Sequence, residues 1–192
     1  MAVVSIPDEG RRIDDPAELA GFLAGYGICH ERWPLADRVD PTAPPEAVLA
    51  AYEPEIARLR ERGGYTTADV IDVSPATPGL EAMLDRFRSE HTHSEDEVRF
   101  ILQGRGVFFV HGRGRVFLLE VGEGDLINVP AGTRHWFDLC ADRRIRAIRL
   151  FQNREGWTPH YVEGGVHGRY TPVCWGPTDL PAAGRVAGVV EP

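Results

Sequence analysis

EVRFILQGRGVFFVHGRGRVFLLEVGEGDLINVP, residues 97–130, decides the fold. Short runs of valine, phenylalanine, leucine and isoleucine are punctuated by Gly104, Gly106, Gly112, Gly114, Gly122 and Gly124. Apolar runs of this length between glycine turns predict the strands of an all-β sandwich or barrel. HGRGR (111–115) and GEGD (122–125) read as hairpin turns. HWFDL (135–139) and RIRAIRLF (144–151) continue the pattern.

Upstream, the first third reads as largely helical. Asp14 or Asp15 can cap a helix that opens at Pro16, carries Leu19, Phe22 and Leu23 on one face, and stops at Gly25 or Gly27. An extended piece follows at 29–33. PTAPP (41–45) leads into a second helix whose apolar stripe is Val48, Leu49, Tyr52, Ile56 and Leu59, ended by Gly63 and Gly64. VIDV (70–73) reads as a strand, and Leu80, Met83, Leu84 and Phe87 predict a third helix. Beyond residue 157 the chain is rich in proline and glycine and has no periodicity, so an irregular tail is expected. The expected organisation is one domain over 1–192: a helical part (1–88), a metal-binding β-barrel core (89–157) and an irregular part (158–192).

The 192 residues suffice to bury a substantial core, and 43% hydrophobic with 26% charged residues is ordinary for a globular chain. A net charge of −8 argues against a general nucleic-acid-binding surface. Cys29, Cys140 and Cys174 are odd in number, far apart and free of CxxC spacing. The expectation is therefore no disulfide framework, no zinc knuckle and a reducing compartment. MAVVSIPDEGRR (1–12) lacks the features of a secretory signal, and no run approaches the ~18 apolar residues of a membrane span. The cytoplasm is the expected location, with no membrane partner.

Chemistry concentrates in HTHSEDEVRF (91–100), just before the first long apolar run. On an unbroken strand His91, His93 and Glu97 would share one face; a turn at 94–96 would instead put the pair and the glutamate on adjacent strands. GDLINVPAGTRHWF (124–137) adds a strand, a Pro130-x-Gly132 turn and then His135, which can return beside the first cluster. Three imidazoles and one carboxylate suit a divalent first-row ion such as iron, nickel or manganese. Four protein ligands on an octahedral ion leave two positions open, unlike a closed structural zinc site. Arg99 has the strand parity of Glu97, so its guanidinium can face those positions. Glu90 and Asp96 can accept the remaining N–H groups of ligand imidazoles. His30, His111, His160 and His167 read as ordinary surface or satisfied core histidines.

These spacings match the two motifs of the cupin superfamily, with departures: Asp85 stands where the first motif opens with glycine, and Leu139 where the second ends with asparagine. SEHTHSEDEVRF (89–100), VPAGTRHWFDL (129–139), RAIRLFQNREGW (146–157) and ERWP (31–34) more closely resemble the acireductone dioxygenase family. The resemblance implies a mainly β cupin fold, a double-stranded β-helix (jelly roll), with the N-terminal helices packed outside it. It implies a metal-dependent dioxygenase of methionine salvage with one Fe²⁺ or Ni²⁺ per monomer, acting on an acireductone and O₂, and it leans toward a monomer. Position by position it implies His91, His93, Glu97 and His135 as metal ligands and Arg99 as the catalytic residue that holds the substrate dianion. Glu90 and Asp96 fall on acidic positions tied to metal incorporation, and Phe137, Arg149 and Trp157 on positions lining or supporting the pocket. Two other readings stay open at this level: another metal-dependent cupin enzyme, or a non-catalytic cupin that binds a small molecule.

Overall fold

The computed structural model describes residues 1–35, 38–153 and 158–176. Eleven strands occur among them: β1 (Val3–Ile6), β2 (Arg11–Ile13), β3 (Cys29–Arg32), β4 (Thr67–Val73), β5 (His91–Thr92), β6 (Glu97–Gly112), β7 (Arg115–Gly122), β8 (Asp125–Val129), β9 (Arg134–Leu139), β10 (Ile145–Phe151) and β11 (His160–Tyr161). The helices are α1 (Pro16–Ala24), α2 (Pro45–Ala51), α3 (Glu53–Gly63) and α4 (Leu80–Arg88). One sheet runs β11-β5-β9-β6-β7-β1-β2, and a second runs β4-β10-β6-β8-β3. All pairings are antiparallel. This is the expected mainly β fold with helices outside the barrel.

Strand β6 belongs to both sheets. Its first part pairs with β8 and β10, its second part with β7 and β9. The crossing is at Gly104, with φ of +76° and a neighbour so close that a Cβ would lie 2.1 Å from the Arg144 carbonyl oxygen. Only glycine fits both conditions. The glycines after Leu102 thus bend one long strand instead of separating two, as the sequence had suggested. Every position from Gly104 to Val110 and from Val116 to Gly122 is buried because both faces are covered. Phe108 and Val110 point between the sheets with Phe117, Leu119, Ile127 and Val129. Val107 and Phe109 point to the opposite face with Leu118 and Trp136, and there Val166, Tyr170 and Cys174 of the returning chain cover them. Val98, Phe100, Ile148 and Leu150 face α2 and α3, packing on Val48, Tyr52, Ile56 and Leu59.

Local signals explain the helices. The Asp15 carboxylate accepts the N–H groups of Ala17 and Glu18 at 3.0 and 2.9 Å, and Pro16 opens α1 without wasting a donor. The expected single helix after PTAPP is two, split at Tyr52, because Pro54 in the first turn of α3 has no N–H to continue the ladder of α2. The first third also holds more strand than expected: AVVSI is too short to show a period, yet β1 lies against β7 and β2. HGRGR is a true hairpin between β6 and β7. GEGD is not, since β7 and β8 lie in different sheets and the Gly124 N–H bonds the Ile101 carbonyl.

The expectation of unpaired cysteines is overturned in part. Cys140 and Cys174 form a disulfide across 34 residues, and Cys29 is free and exposed. Spacing could not show it: Cys140 directly follows β9, and Cys174 reaches it only because the irregular C-terminal segment returns over the outer face of the first sheet. Among the described residues no helix is long and apolar enough to cross a membrane.

Candidate metal centre and active site

His91 lies in β5, His93 just beyond it, Glu97 at the start of β6 and His135 in β9. His91 and His135 are opposite each other in register on neighbouring strands. The bend at Ser94 and Glu95 ends β5, and Glu97 resumes in the second sheet, paired with Val129. The turn alternative therefore holds, but the two parts converge across the barrel, not on adjacent strands. Asp96 fixes this crossing: it accepts hydrogen bonds from the Tyr65 hydroxyl at 2.9 Å, Asn128 at 3.3 Å and the Ala131 N–H at 3.1 Å. Burial and the bond to Asp96 raise the Tyr65 hydroxyl well above the ordinary tyrosine range, so it remains a donor. The Pro130–Gly132 turn is tied to the cluster by the Gly132 N–H, which donates to the His93 carbonyl at 2.9 Å.

One nitrogen of each of His91, His93 and His135 can be chosen so that all three lie within 4.8 Å of one another, and all three residues are buried. Each Nδ1 faces a backbone carbonyl: Ser89 for His91 at 2.7 Å, Thr158 for His93 at 3.2 Å and Thr133 for His135 at 2.8 Å. A proton on Nδ1 leaves each Nε2 as a bare lone pair directed inward. Glu97 Oε2 lies 2.8 Å from His135 Nε2 and 3.5 Å from His93 Nε2. His135 thus faces an acceptor on both ring nitrogens, so its Nε2 needs either a second proton or an ion between it and Glu97. Three inward lone pairs and a carboxylate in one buried volume are the donor set of a divalent cation, so the residues fit such an ion.

Electrostatics agree with that fit. Burial, then the neighbouring His135, lowers His91 to about 4, and burial also lowers His93. Both imidazoles are therefore neutral and available as ligands near neutral pH. Burial alone would raise Glu97, but Arg99 and the hydrogen bond to His135 outweigh it and hold the carboxyl well below the usual range. Arg99 Nη2 lies 3.0 Å from Glu97 Oε1, and its Nη1 donates to the Val98 carbonyl at 3.0 Å.

A cavity opens from this cluster into the barrel, lined by His91, Glu97, Arg99 and His135 at one end. Phe137 and Arg149 line it as well. Arg149 is held by two hydrogen bonds to Asp69, at 2.7 and 2.6 Å, which answers the charge it brings into an apolar strand. The rest of the wall is apolar, including Ile71, Met83, Phe87, Ile101 and Phe108. Sequence reasoning missed this wall. The signal was the inward parity of β4, β6 and β10, readable only once the sheets are assembled. Trp157 lies outside the described residues.

Glu90 and Asp96 do not accept from the three histidines, contrary to expectation; backbone carbonyls do. Glu90 is fully buried and accepts instead from His111 at 2.7 Å, Arg134 at 2.7 Å and the Val166 N–H at 2.7 Å. Burial would raise its carboxyl, but these three donors outweigh it and lower it. The side chain joins the strand of His91 to that of His135 and to the returning chain. His30, expected to be ordinary, is satisfied by the buried Asp125 at 2.9 Å.

The lowered histidines set a pH dependence for the metal-free protein. Between the ordinary histidine value of 6.5 and about 4, the unfolded chain binds a proton at His91 that the folded chain does not. Unfolding free energy should therefore be full above that window and fall as pH drops through it, with the lowered Glu97 and Glu90 extending the loss to more acid pH. Urea midpoints of the metal-free protein across this range should decline steadily; a flat profile would contradict the burial of neutral imidazoles.

Comparison with known proteins gives one answer. The model of the ARD/ARD' family matches residues 27–159. An acireductone dioxygenase of Parvibaculum lavamentivorans is 43% identical over 156 residues, 81% of this chain and 85% of its own length. One from Bacillus mycoides is 40% identical over 170 residues, 84% of this chain and all of the relative. Among solved structures, the acireductone dioxygenase of Bacillus anthracis with a cadmium ion in its active centre superposes with a TM-score of 0.80 at 38% identity, covering 84% of this chain and 98% of that one. With sequence, fold and buried histidine cluster in agreement, the chain belongs to the ARD/ARD' family.

Proposed function

We propose that this chain is an acireductone dioxygenase whose ion, Fe²⁺ or Ni²⁺, is held one per monomer by His91, His93, Glu97 and His135. The observation that carries the reading is the junction of three inward imidazoles and Glu97 with an apolar cavity, with Arg99 at that junction. The relative with cadmium in its active centre supports it. The substrate is 1,2-dihydroxy-3-keto-5-(methylthio)pentene, cleaved with O₂. With iron the products are formate and 4-methylthio-2-oxobutanoate; with nickel they are methylthiopropionate, formate and carbon monoxide. Bound at this site, the ion supplies Lewis-acid polarisation and a template for two adjacent substrate oxygens.

The side chains divide the remaining work. Arg99, anchored by Glu97 and the Val98 carbonyl, presents a fixed cation to the enediol oxygens and favours their deprotonated, electron-rich form. The cation needs no reorganisation when charge develops. The apolar wall of β4, α4 and β6 takes the methylthio tail and keeps water from the reactive carbons. Phe137 and Arg149 complete the wall, and Asp69 keeps Arg149 from competing for the substrate anion. Backbone carbonyls fix which nitrogen each imidazole offers. Glu90 and Asp96 brace the strands that carry the ligands. We read the chain as one domain, since the N-terminal helices complete the same cores as the barrel, and as a monomer acting in the cytoplasm.

Metal-free protein prepared without oxygen and loaded separately with Fe²⁺ or Ni²⁺ tests the reading. Metal-dependent loss of acireductone absorbance with O₂ uptake is expected, giving the keto acid with iron and carbon monoxide with nickel. Stoichiometric metal without acireductone-dependent O₂ uptake would refute the activity. Arg99→Leu should keep its nickel, because the four ligands are intact, while kcat/KM falls by roughly 100- to 1,000-fold, as for the loss of a fixed transition-state charge. Undiminished turnover by this variant would remove Arg99 from the catalytic machinery.

A further inference from the structure

The ring closed by Cys140 and Cys174 contains the part of the chain that supports the histidine cluster from outside. Cys140 directly follows β9, the strand of His135. The returning strap, residues 158–176, supplies the Thr158 carbonyl to His93 Nδ1 at 3.2 Å. Its Val162 N–H donates to the Glu90 carbonyl at 2.9 Å, and its Val166 N–H to the Glu90 carboxylate at 2.7 Å. Tyr161 is in register with His91, with its ring 6.2 Å from that imidazole.

Little within the strap fixes its own path. Its regular structure is the two-residue β11 and one 3₁₀ turn at His167–Arg169. Order comes from distant anchors: Tyr170 donating to Asp8 at 2.8 Å, Trp175 Nε1 to Ser5 at 2.9 Å and the Gly176 N–H to Glu120 at 3.0 Å. Among the described residues, the disulfide is the one covalent anchor. The family match ends at residue 159, so the segment carrying Cys174 lies beyond what the family model covers.

We propose that Cys140–Cys174 is a reversible redox clasp: closed, it holds the strap that positions His91 and His93; open, it frees the strap and loosens the ion's site. The second half of this inference rests on the reading of His91, His93, Glu97 and His135 as ligands. On the cytoplasmic reading proposed above, a disulfide is ordinarily transient and redox-sensing, which suits a clasp better than a permanent staple. Closure is thiol–disulfide exchange with a low-molecular-weight disulfide. The half-buried Cys174 is the accessible sulfur, whereas Cys140 is only 1% exposed. The Cys174 thiolate attacks the small disulfide and releases one small thiol; the Cys140 thiolate then attacks the Cys174 sulfur and releases the second. Two protein S–H bonds are lost and one S–S bond is gained, and both electrons and both protons leave with the two small thiols.

The test uses the full chain loaded with Ni²⁺, either equilibrated with oxidised glutathione or reduced with a phosphine. Alkylation of the unfolded chain should find at most one thiol, Cys29, after oxidation and three after reduction. Reduction should speed amide exchange at Val162 and Val166 by at least about tenfold, as expected of a segment released to open locally. Nickel release to a chromophoric chelator should rise by about tenfold, the low end of the effect of disturbing the partners of metal-bound imidazoles. Cys140→Ala with Cys174→Ala should behave as reduced protein under both conditions, and Cys29→Ser should keep the response. If the paired variant fails to fold, the comparison on the natural chain still decides. Three alkylated thiols after oxidised glutathione, or equal exchange and equal nickel release in the two states, would overturn the clasp. Faster exchange on reduction in a protein that takes up no nickel would instead refute the metal reading and uphold redox control of the strap.

Discussion

Strand β6 serves two sheets, and the rest of the molecule is arranged around that requirement. Its first half carries Glu97 and Arg99 inward from the second sheet; its second half brings β9, and so His135, alongside from the first. The turn at Gly104 allows one strand to do both. Were the strand straight, the carboxylate and the histidines would sit in one sheet and could not face each other across the barrel. Because both faces of β6 are covered, by the barrel interior on one side and by helices or the returning chain on the other, the strand can carry unbroken apolar runs such as VFFV (107–110). Against that background a buried charge pair costs free energy unless each charge has partners.

The partners are arranged in nested layers. Glu97 lies between Arg99 and the two histidines nearest it, and the histidines are each fixed on the outer side by a carbonyl. Glu90, one residue from His91, collects three donors from three separate segments and so ties β5, β6, β9 and the strap together without touching the cavity. Asp96 does the corresponding work for the turn that carries the chain from one sheet to the other. Acidic residues beside the motif thus brace the strands that carry the imidazoles, while His91, His135 and Arg99 face the cavity. Most of these supports come from strands paired elsewhere in register, which fixes where the buried side chains stand.

Much of this was legible in the sequence. The apolar runs and glycines after residue 97 predicted the strands, and the spacing of His91, His93, Glu97 and His135 gathered residues that the structure brings together. Asp15 and Pro16 marked the start of α1 as short-range signals that tertiary packing had no reason to override. What escaped was non-local. Whether the glycines after Leu102 broke a strand or bent it depended on the Arg144 backbone opposite. The acceptors for the imidazoles were carbonyls, which every residue has and no sequence pattern distinguishes. The apolar wall came from β4, α4, β6, β9 and β10, which only the assembled fold brings together. The disulfide joined a strand end to a segment without periodicity, so cysteine spacing carried no sign of it. The β1 strand was too short to show a repeat, and its pairing with β7 lies more than a hundred residues downstream.

In the proposed function, side chains from β5, β6 and β9, with His93 between, share a single ion beside Arg99. X-ray absorption fine structure on the nickel-loaded protein tests it most directly. A shell of nitrogen and oxygen only is expected, with outer-shell scattering from three imidazoles, the number in the buried cluster. A sulfur scatterer at the metal, or a shell with one imidazole or none, would place the ion elsewhere and contradict the account.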